Sequence, residues 1–218
     1  MKTSLRRELL DHGAAVVGVA GLHGFLSGEI SHLQTAVSIG VDRRLNENTL
    51  AILTKLQKRT VRFLKARGHR ALAIPPDSDR KKGTFVSKLY SLFNHKMAAT
   101  SAGIGWIGKN GLLINPHFGP RLSLVTVLTD ARLKPDAPAE HSLCGDCRLC
   151  VEHCPSQAIT GAVWSRSSPF VELVRLSSCR SHKATKRRTE GKPNCGLCIN
   201  MCPYGTAERK HEARISKS

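Results

Sequence analysis

Apolar residues in the first two thirds of the chain follow two different spacings. Residues 14–20 and 36–41 are short runs rich in Val, Ile and Ala with almost no polar interruption, the pattern of buried strands. Residues 48–67 keep a 3.6-residue period instead. Leu50, Ile52, Leu53, Leu56, Val61 and Leu64 recur between lysines and arginines, and Gly68 stands where a helix stop is expected. The same reading predicts a short helix over 4–11 and a strand over 71–74 that ends at Pro75-Pro76. It places a polar, basic loop over 75–82, a helix over 85–102 closing at Gly103, and strands over 111–114 and 122–128. Helices and strands alternate, so residues 1–135 read as an α/β layer domain. Two prolines in 133–139 mark a linker. A cysteine-rich second domain follows over 136–207, with a charged tail over 208–218.

The cysteines bring in the chemistry. Cys144, Cys147, Cys150 and Cys154 form C-x2-C-x2-C-x3-C, followed by Pro155. Cys195, Cys198 and Cys202 form C-x2-C-x3-C, followed by Pro203, and Cys179 stands between the runs. Three cysteines two residues apart wrap a loop around one corner of a cubane. The proline then stops the turn from continuing as helix. In the bacterial-ferredoxin arrangement the fourth cysteine of each run ligates the other run's cluster. By that rule Cys144, Cys147, Cys150 and Cys202 hold one [4Fe–4S] cluster. Cys154, Cys195 and Cys198 hold a second, with Cys179 in the place of the missing first cysteine. Zinc uses paired C-x2-C knuckles, and four cysteines within eleven residues do not divide that way. Disulfides need a secreted context, and the apolar stretch 14–20 is too short to be a signal segment. His141, His153 and His182 flank cysteines, but eight thiolates already saturate two cubanes.

Charge narrows the partners. The net charge is +18, with 21 Lys/Arg against 10 Asp/Glu in residues 1–140 and 13 against 6 in 141–218. A field spread over both domains favours polyanions, nucleic acid above all. With two Trp, two Tyr and six Phe, base stacking is poorly supported, so contact would be to phosphate. Lys183, Lys186, Arg187 and Arg188 fall in an expected loop between Cys179 and Cys195, where they can dock an acidic electron donor or RNA. No apolar run has the length of a membrane span, and thiolates on iron point to a reducing compartment, the cytoplasm.

The segment 103–110 reads Gly-Ile-Gly-Trp-Ile-Gly-Lys-Asn. It matches G-x-G-x-x-G, but an expected helix precedes it and an expected strand follows, the reverse of a dinucleotide fingerprint. It also matches G-x4-G-K, but Asn110 stands where a P-loop needs Ser or Thr.

Taken with its surroundings, the segment resembles the epoxyqueuosine reductase family. The match runs from His95-Lys96 through Ala102–Asn110, Leu112-Leu113-Ile114, Phe118-Gly119-Pro120-Arg121 and Val127-Leu128-Thr129-Asp130 into the cysteine runs. It is closest to the short relatives that stop after the cluster domain, and the family is related to corrinoid reductive dehalogenases. The resemblance implies a nitroreductase-like α/β domain followed by a ferredoxin-like two-[4Fe–4S] module. It also implies cobalamin as a further cofactor, contacted by Gly103, Gly105, Trp106, Gly108 and Lys109. The implied activity is reduction of epoxyqueuosine in tRNA, fed by a low-potential donor such as a ferredoxin or flavodoxin. Two departures stand out. Family members carry an Asp proton donor upstream of the glycine segment, whereas residues 83–129 contain no Asp or Glu. Tyr90 and His95 are the side chains there able to donate a proton. The helical-repeat domain with which full-length members hold tRNA has no counterpart in these residues. The sequence therefore reads as an iron–sulfur oxidoreductase of this type. A ferredoxin-like carrier or reductive activator for a partner protein is the alternative.

Overall fold

Four strands form one antiparallel sheet in the order β1–β2–β6–β3: β1 (Val16–Gly21), β2 (Thr35–Asp42), β6 (Leu122–Thr129) and β3 (Ala71–Ile74). The computed structural model describes residues 1–22, 30–42, 48–74, 93–168, 171–191 and 194–205. Tyr90, the basic loop expected over 75–82, the first part of the helix expected over 85–102 and the tail from 208 lie outside the described residues.

Alternation along the strands gives the sheet two different faces. On one face Val17, Val19, Val37, Ile39, Val41, Val125 and Val127 build the main core with α1 (Lys2–Asp11) and α2 (Thr49–Lys65). Leu5 and Leu9 come from α1; Leu53, Leu56, Phe63 and Leu64 come from α2. The amide of Gln57 is the polar exception in α2's buried stripe. It donates to the carbonyls of Ile74 (2.6 Å) and Thr126 (3.0 Å) and so joins the helix to β3 and β6. On the other face the strands carry small or polar residues, including Gly18, Ala20, Ala36, Ser38, Gly40 and Thr126. Against them packs α3 (His95–Ser101), opened by an Asn94 cap that accepts from the N–H of Lys96 at 2.9 Å. A Cβ at Gly18 would lie 2.5 Å from the Ala102 carbonyl, so the small residues set how closely α3 approaches. All eight residues of β2 are buried, as expected for a central strand covered on both faces.

Asp136 anchors the chain as it leaves the sheet. Its carboxylate accepts from Lys2 Nζ (2.7 Å), Arg6 (2.6 Å) and the N–H of Val19 (2.8 Å). Burial alone raises this carboxyl, but the hydrogen bonds from Lys2, Val19 and Arg6 together outweigh it and hold the group below its usual range. Asp136→Asn is expected to cost about 1–3 kcal/mol at pH 7. Because the folded-state pKa is the lower one, the wild-type advantage is complete above the unfolded carboxyl pKa of about 4 and fades as pH falls through the folded value. Urea denaturation of the two proteins at neutral and acid pH checks both statements.

The described chain divides into two compact units. Met1–Ile104 with Leu122–Ala139 forms the sheet unit, and Gly105–Arg121 joins the chain from Glu140 onward. A contiguous division at 135/136 follows from linker composition and so does not contain the excursion of 105–121. That excursion is a hairpin, β4 (Trp106–Ile107) with β5 (Leu113–Ile114), whose partners come from the cysteine runs. Short helices α4 (Leu149–Glu152) and α6 (Leu197–Asn200) sit within those runs. The stretch between Cys179 and Cys195, expected as a loop, is mostly helix: α5 (Leu176–Glu190). It escaped the reading because none of its residues is buried, so no apolar period marks it.

Candidate metal centre

The hairpin is built by close packing of backbone. A Cβ at Gly105 would lie 2.1 Å from the Ile114 carbonyl across the β4–β5 pair, and one at Gly108 would lie 2.7 Å from the Ile114 side chain. Gly105→Ala must therefore push the two strands apart. The expected cost is about 1–3 kcal/mol, the usual range for overpacking, read as a lower melting midpoint.

The turn of this hairpin presents Lys109 and Asn110, and each reaches a different cysteine run. Lys109, 5% exposed, donates from Nζ to the carbonyls of Gly145 (2.7 Å) and Cys147 (3.0 Å) in the first run. Asn110 Nδ2 donates to the Cys198 carbonyl (3.1 Å) in the second, and its Oδ1 accepts from the N–H of Leu112 (3.1 Å). At the hairpin's end, Arg121 donates to the carbonyls of Ile199 (3.2 Å) and Tyr204 (3.3 Å). Tyr204 in turn donates to the Leu143 carbonyl at 2.7 Å and meets Trp106 edge-on at 4.9 Å. One hairpin thus holds both runs. Within each run a glycine after the first cysteine, Gly145 (φ +49°) and Gly196 (φ +71°), takes the left-handed turn that bends the loop.

All eight cysteines are free thiols, and they fall into two groups. Burial, then repulsion from Cys144, Cys147, Cys202 and Cys198, pushes the Cys150 thiol up to about 11. Burial, then repulsion from Cys179, Cys195 and Cys154, raises Cys198. Cys202 is raised first by burial, with Cys144 and Cys147 among its neighbours. By these neighbours Cys144, Cys147, Cys150 and Cys202 make a first group and Cys154, Cys179, Cys195 and Cys198 a second, with Cys198 also felt by Cys150. Each draws on both runs. A cavity lies among the first group, lined also by Lys109, Asn110 and Tyr204. The raised thiols Cys150, Cys198 and Cys202 give up their protons most readily to a cationic body that takes the charge, which the irons of a cubane do. Among the described residues no three or more His, Cys, Asp or Glu are gathered closely enough to hold a single metal ion. Cys154 is prepared differently. Burial raises it, but hydrogen bonds from the Ser156 side chain and from the N–H groups of Ala158, Ile159 and Ser156 outweigh that and lower the thiol. The Ala158 N–H lies 3.3 Å from Sγ.

The five residues expected to contact cobalamin are placed otherwise. Gly103 (φ +63°) lies against the Ala137 carbonyl, which a Cβ would approach to 2.3 Å, and Gly105 and Gly108 lie against Ile114. Trp106 is 2% exposed; its Nε1 has no partner among the described residues, but the ring is sealed and offers no open face. The charge of Lys109 is spent on the first cysteine run. These positions do not fit a planar corrin. The sequence signal was misleading because close backbone approach to a ligand and close approach to the chain itself both require glycine. His95 lies in the sheet unit, 4% exposed, with Nδ1 2.9 Å from Thr126 Oγ1 and its ring edge-on to Phe93 at 5.8 Å. Sequence reasoning missed Asn110 and Arg121 as cluster-loop clamps, although the unmatched Asn after Gly-Lys was their visible trace.

Fold and site together define the class: an α/β layer unit joined to an iron–sulfur module. Residues 143–205 match the 4Fe-4S double cluster binding domain family. The epoxyqueuosine reductase of Synechococcus sp. (strain RCC307) is 39% identical over 129 residues, 56% of this chain and 36% of that protein. An epoxyqueuosine reductase solved with an epoxyqueuosine-modified tRNA-Tyr stem loop aligns with a TM-score of 0.69 at 17% identity, over 94% of this chain and 65% of that one. The catabolic reductive dehalogenase NpRdhA, in complex with 3-bromo-4-hydroxybenzoic acid, aligns with a TM-score of 0.68 at 20% identity, over 94% and 32%. The resemblance to epoxyqueuosine reductases and the fold it implied are borne out. The chain spans about a third of the length of the curated relative it matches. Among the described residues no helix is long and apolar enough to cross a membrane.

Proposed function

We propose that this chain is an iron–sulfur oxidoreductase of the epoxyqueuosine reductase type. Cys144, Cys147, Cys150 and Cys202 hold one [4Fe–4S] cluster, and Cys154, Cys179, Cys195 and Cys198 hold the other. The observation that carries this reading is the cavity lined by Cys144, Cys147 and Cys150 of the first run together with Cys202 of the second. When bound, the clusters supply one-electron transfer at low potential. The chain's own residues set that chemistry up. Lys109 fixes the loop of the first group and places a cation beside it, and the N–H groups around Cys154 favour its thiolate.

Epoxyqueuosine in tRNA and a corrinoid enter as the substrate and acceptor to test, because the similar proteins are epoxyqueuosine reductases and the charge of +18 suits a polyanion. The glycine-segment residues give a corrin no face, so a corrinoid that binds must lie against other residues. Anaerobically reconstituted chain should turn over epoxyqueuosine-bearing tRNA with added cobalamin, and its affinity for tRNA should fall steeply with salt. If His95 is the proton donor, His95→Ala lowers turnover about 10²–10⁴-fold with iron content unchanged. The closure of Trp106 and Lys109 favours a second reading, an electron carrier or activator for a partner protein. Reducible clusters with no turnover and no cobalamin spectrum would establish it over the first.

A further inference from the structure

Helix α5 carries five cations, Arg180, Lys183, Lys186, Arg187 and Arg188, against one acid, Glu190. That acid is engaged: Lys186 Nζ lies 2.8 Å from its carboxylate. The burial pattern divides the helix into two stripes. Ser178, Cys179, His182, Lys183 and Lys186 are half-buried, whereas Ser177, Arg180, Ser181, Ala184, Arg187 and Arg188 are exposed. The exposed set recurs at three- and four-residue spacing, so Arg180, Arg187 and Arg188 share one outward face. None of the three has an acidic partner among the described residues. Cys179, a member of the second thiol group, lies in the helix's first turn, directly before Arg180.

We infer that this face is the electron-entry surface of the second cluster and docks an acidic one-electron carrier protein of the ferredoxin or flavodoxin kind. The inference rests on the double-cluster reading above and adds the place and the partner chemistry. Charge complementarity selects an anionic partner. Position selects a redox protein over RNA: the face begins at Arg180, directly after a proposed cluster cysteine, where a carrier needs to come close. The helix has no Phe, Tyr or Trp on which a base could stack, and its one imidazole, His182, is half-buried. Leu176, 59% exposed at the helix start and one turn before Arg180, gives a protein partner an apolar contact at the end of the charged face. On docking, the carrier loses one electron and the cluster gains it; no bond or proton moves.

The test uses the reconstituted full chain, an acidic ferredoxin as probe, and the variant Arg180→Glu/Arg187→Glu/Arg188→Glu. Cluster bleaching by reduced ferredoxin should be about 10-fold or more slower in the variant at low salt, since steering changes association by that order. The difference should vanish near 1 M salt, where the screening length is about 3 Å. Reduction by a small neutral photoreductant should be unchanged, and titration with oxidised ferredoxin should show weaker binding. Equal rates with ferredoxin would overturn the inference. So would equal slowing by Lys55→Glu/Lys58→Glu/Arg62→Glu on α2, which would mean that net charge alone steers the carrier. Loss of tRNA affinity with ferredoxin reduction intact would also overturn it and make the face an RNA contact. A wild-type chain without iron would sink the cluster reading instead, while binding of oxidised ferredoxin still decides the docking.

Discussion

Cys150→Ala is expected to take the iron content of reconstituted protein from about eight to about four per chain, because it removes a corner from one cubane only. Cys150 lines one cavity with Cys144, Cys147 and Cys202, while Cys198 feels Cys154, Cys179 and Cys195. The reciprocal variant, Cys179→Ala, should remove the other half. Because the ligand sets cross, Cys202→Ala should behave like Cys150→Ala although it lies in the opposite run. If Cys202→Ala depleted the cluster of Cys195 and Cys198 instead, the crossed assignment would be wrong.

Lys109→Met has the second-largest expected effect. The ammonium is 5% exposed and donates to two carbonyls of the first cysteine run. Methionine fills much of the space but leaves both carbonyls without that donor and takes away the cation beside four thiolates. Loss of a residue that orients metal ligands costs about 10–100-fold in affinity. Iron release to a chelator should therefore be biphasic in the variant, with the faster half being the iron that Cys150→Ala also removes. Release of all the iron at one common rate would show that Lys109 does not serve the first cluster specifically.

The sheet unit was legible where an element buries one face or both. The strand at 71–74 is found as read, and residues 14–20, 36–41 and 122–128 correspond to β1, β2 and β6 within two residues at each end. The helix over 48–67 is α2, because its apolar period and its basic face are both unbroken. Three things were hidden. The solvent-exposed α5 has no apolar stripe, so its cations read as a loop. The excursion of 105–121 into the cysteine unit depends on hydrogen bonds 36 to 88 residues apart in sequence, which no local pattern reports. The packing role of the glycine segment was hidden for a chemical reason: a lysine and glycines that suit a cofactor also suit a clamp on a neighbouring loop. Metal ligation, by contrast, was almost wholly local. The two proposed ligand sets were read from cysteine spacing, with Cys179 completing the second set of four.

The central claim is that eight thiolates from two crossed runs hold two cubanes. Iron and acid-labile sulfide determined together on anaerobically reconstituted full chain test it most directly. About eight irons and eight sulfides per chain are expected, with reversible one-electron reduction. Stoichiometric zinc without labile sulfide would contradict it.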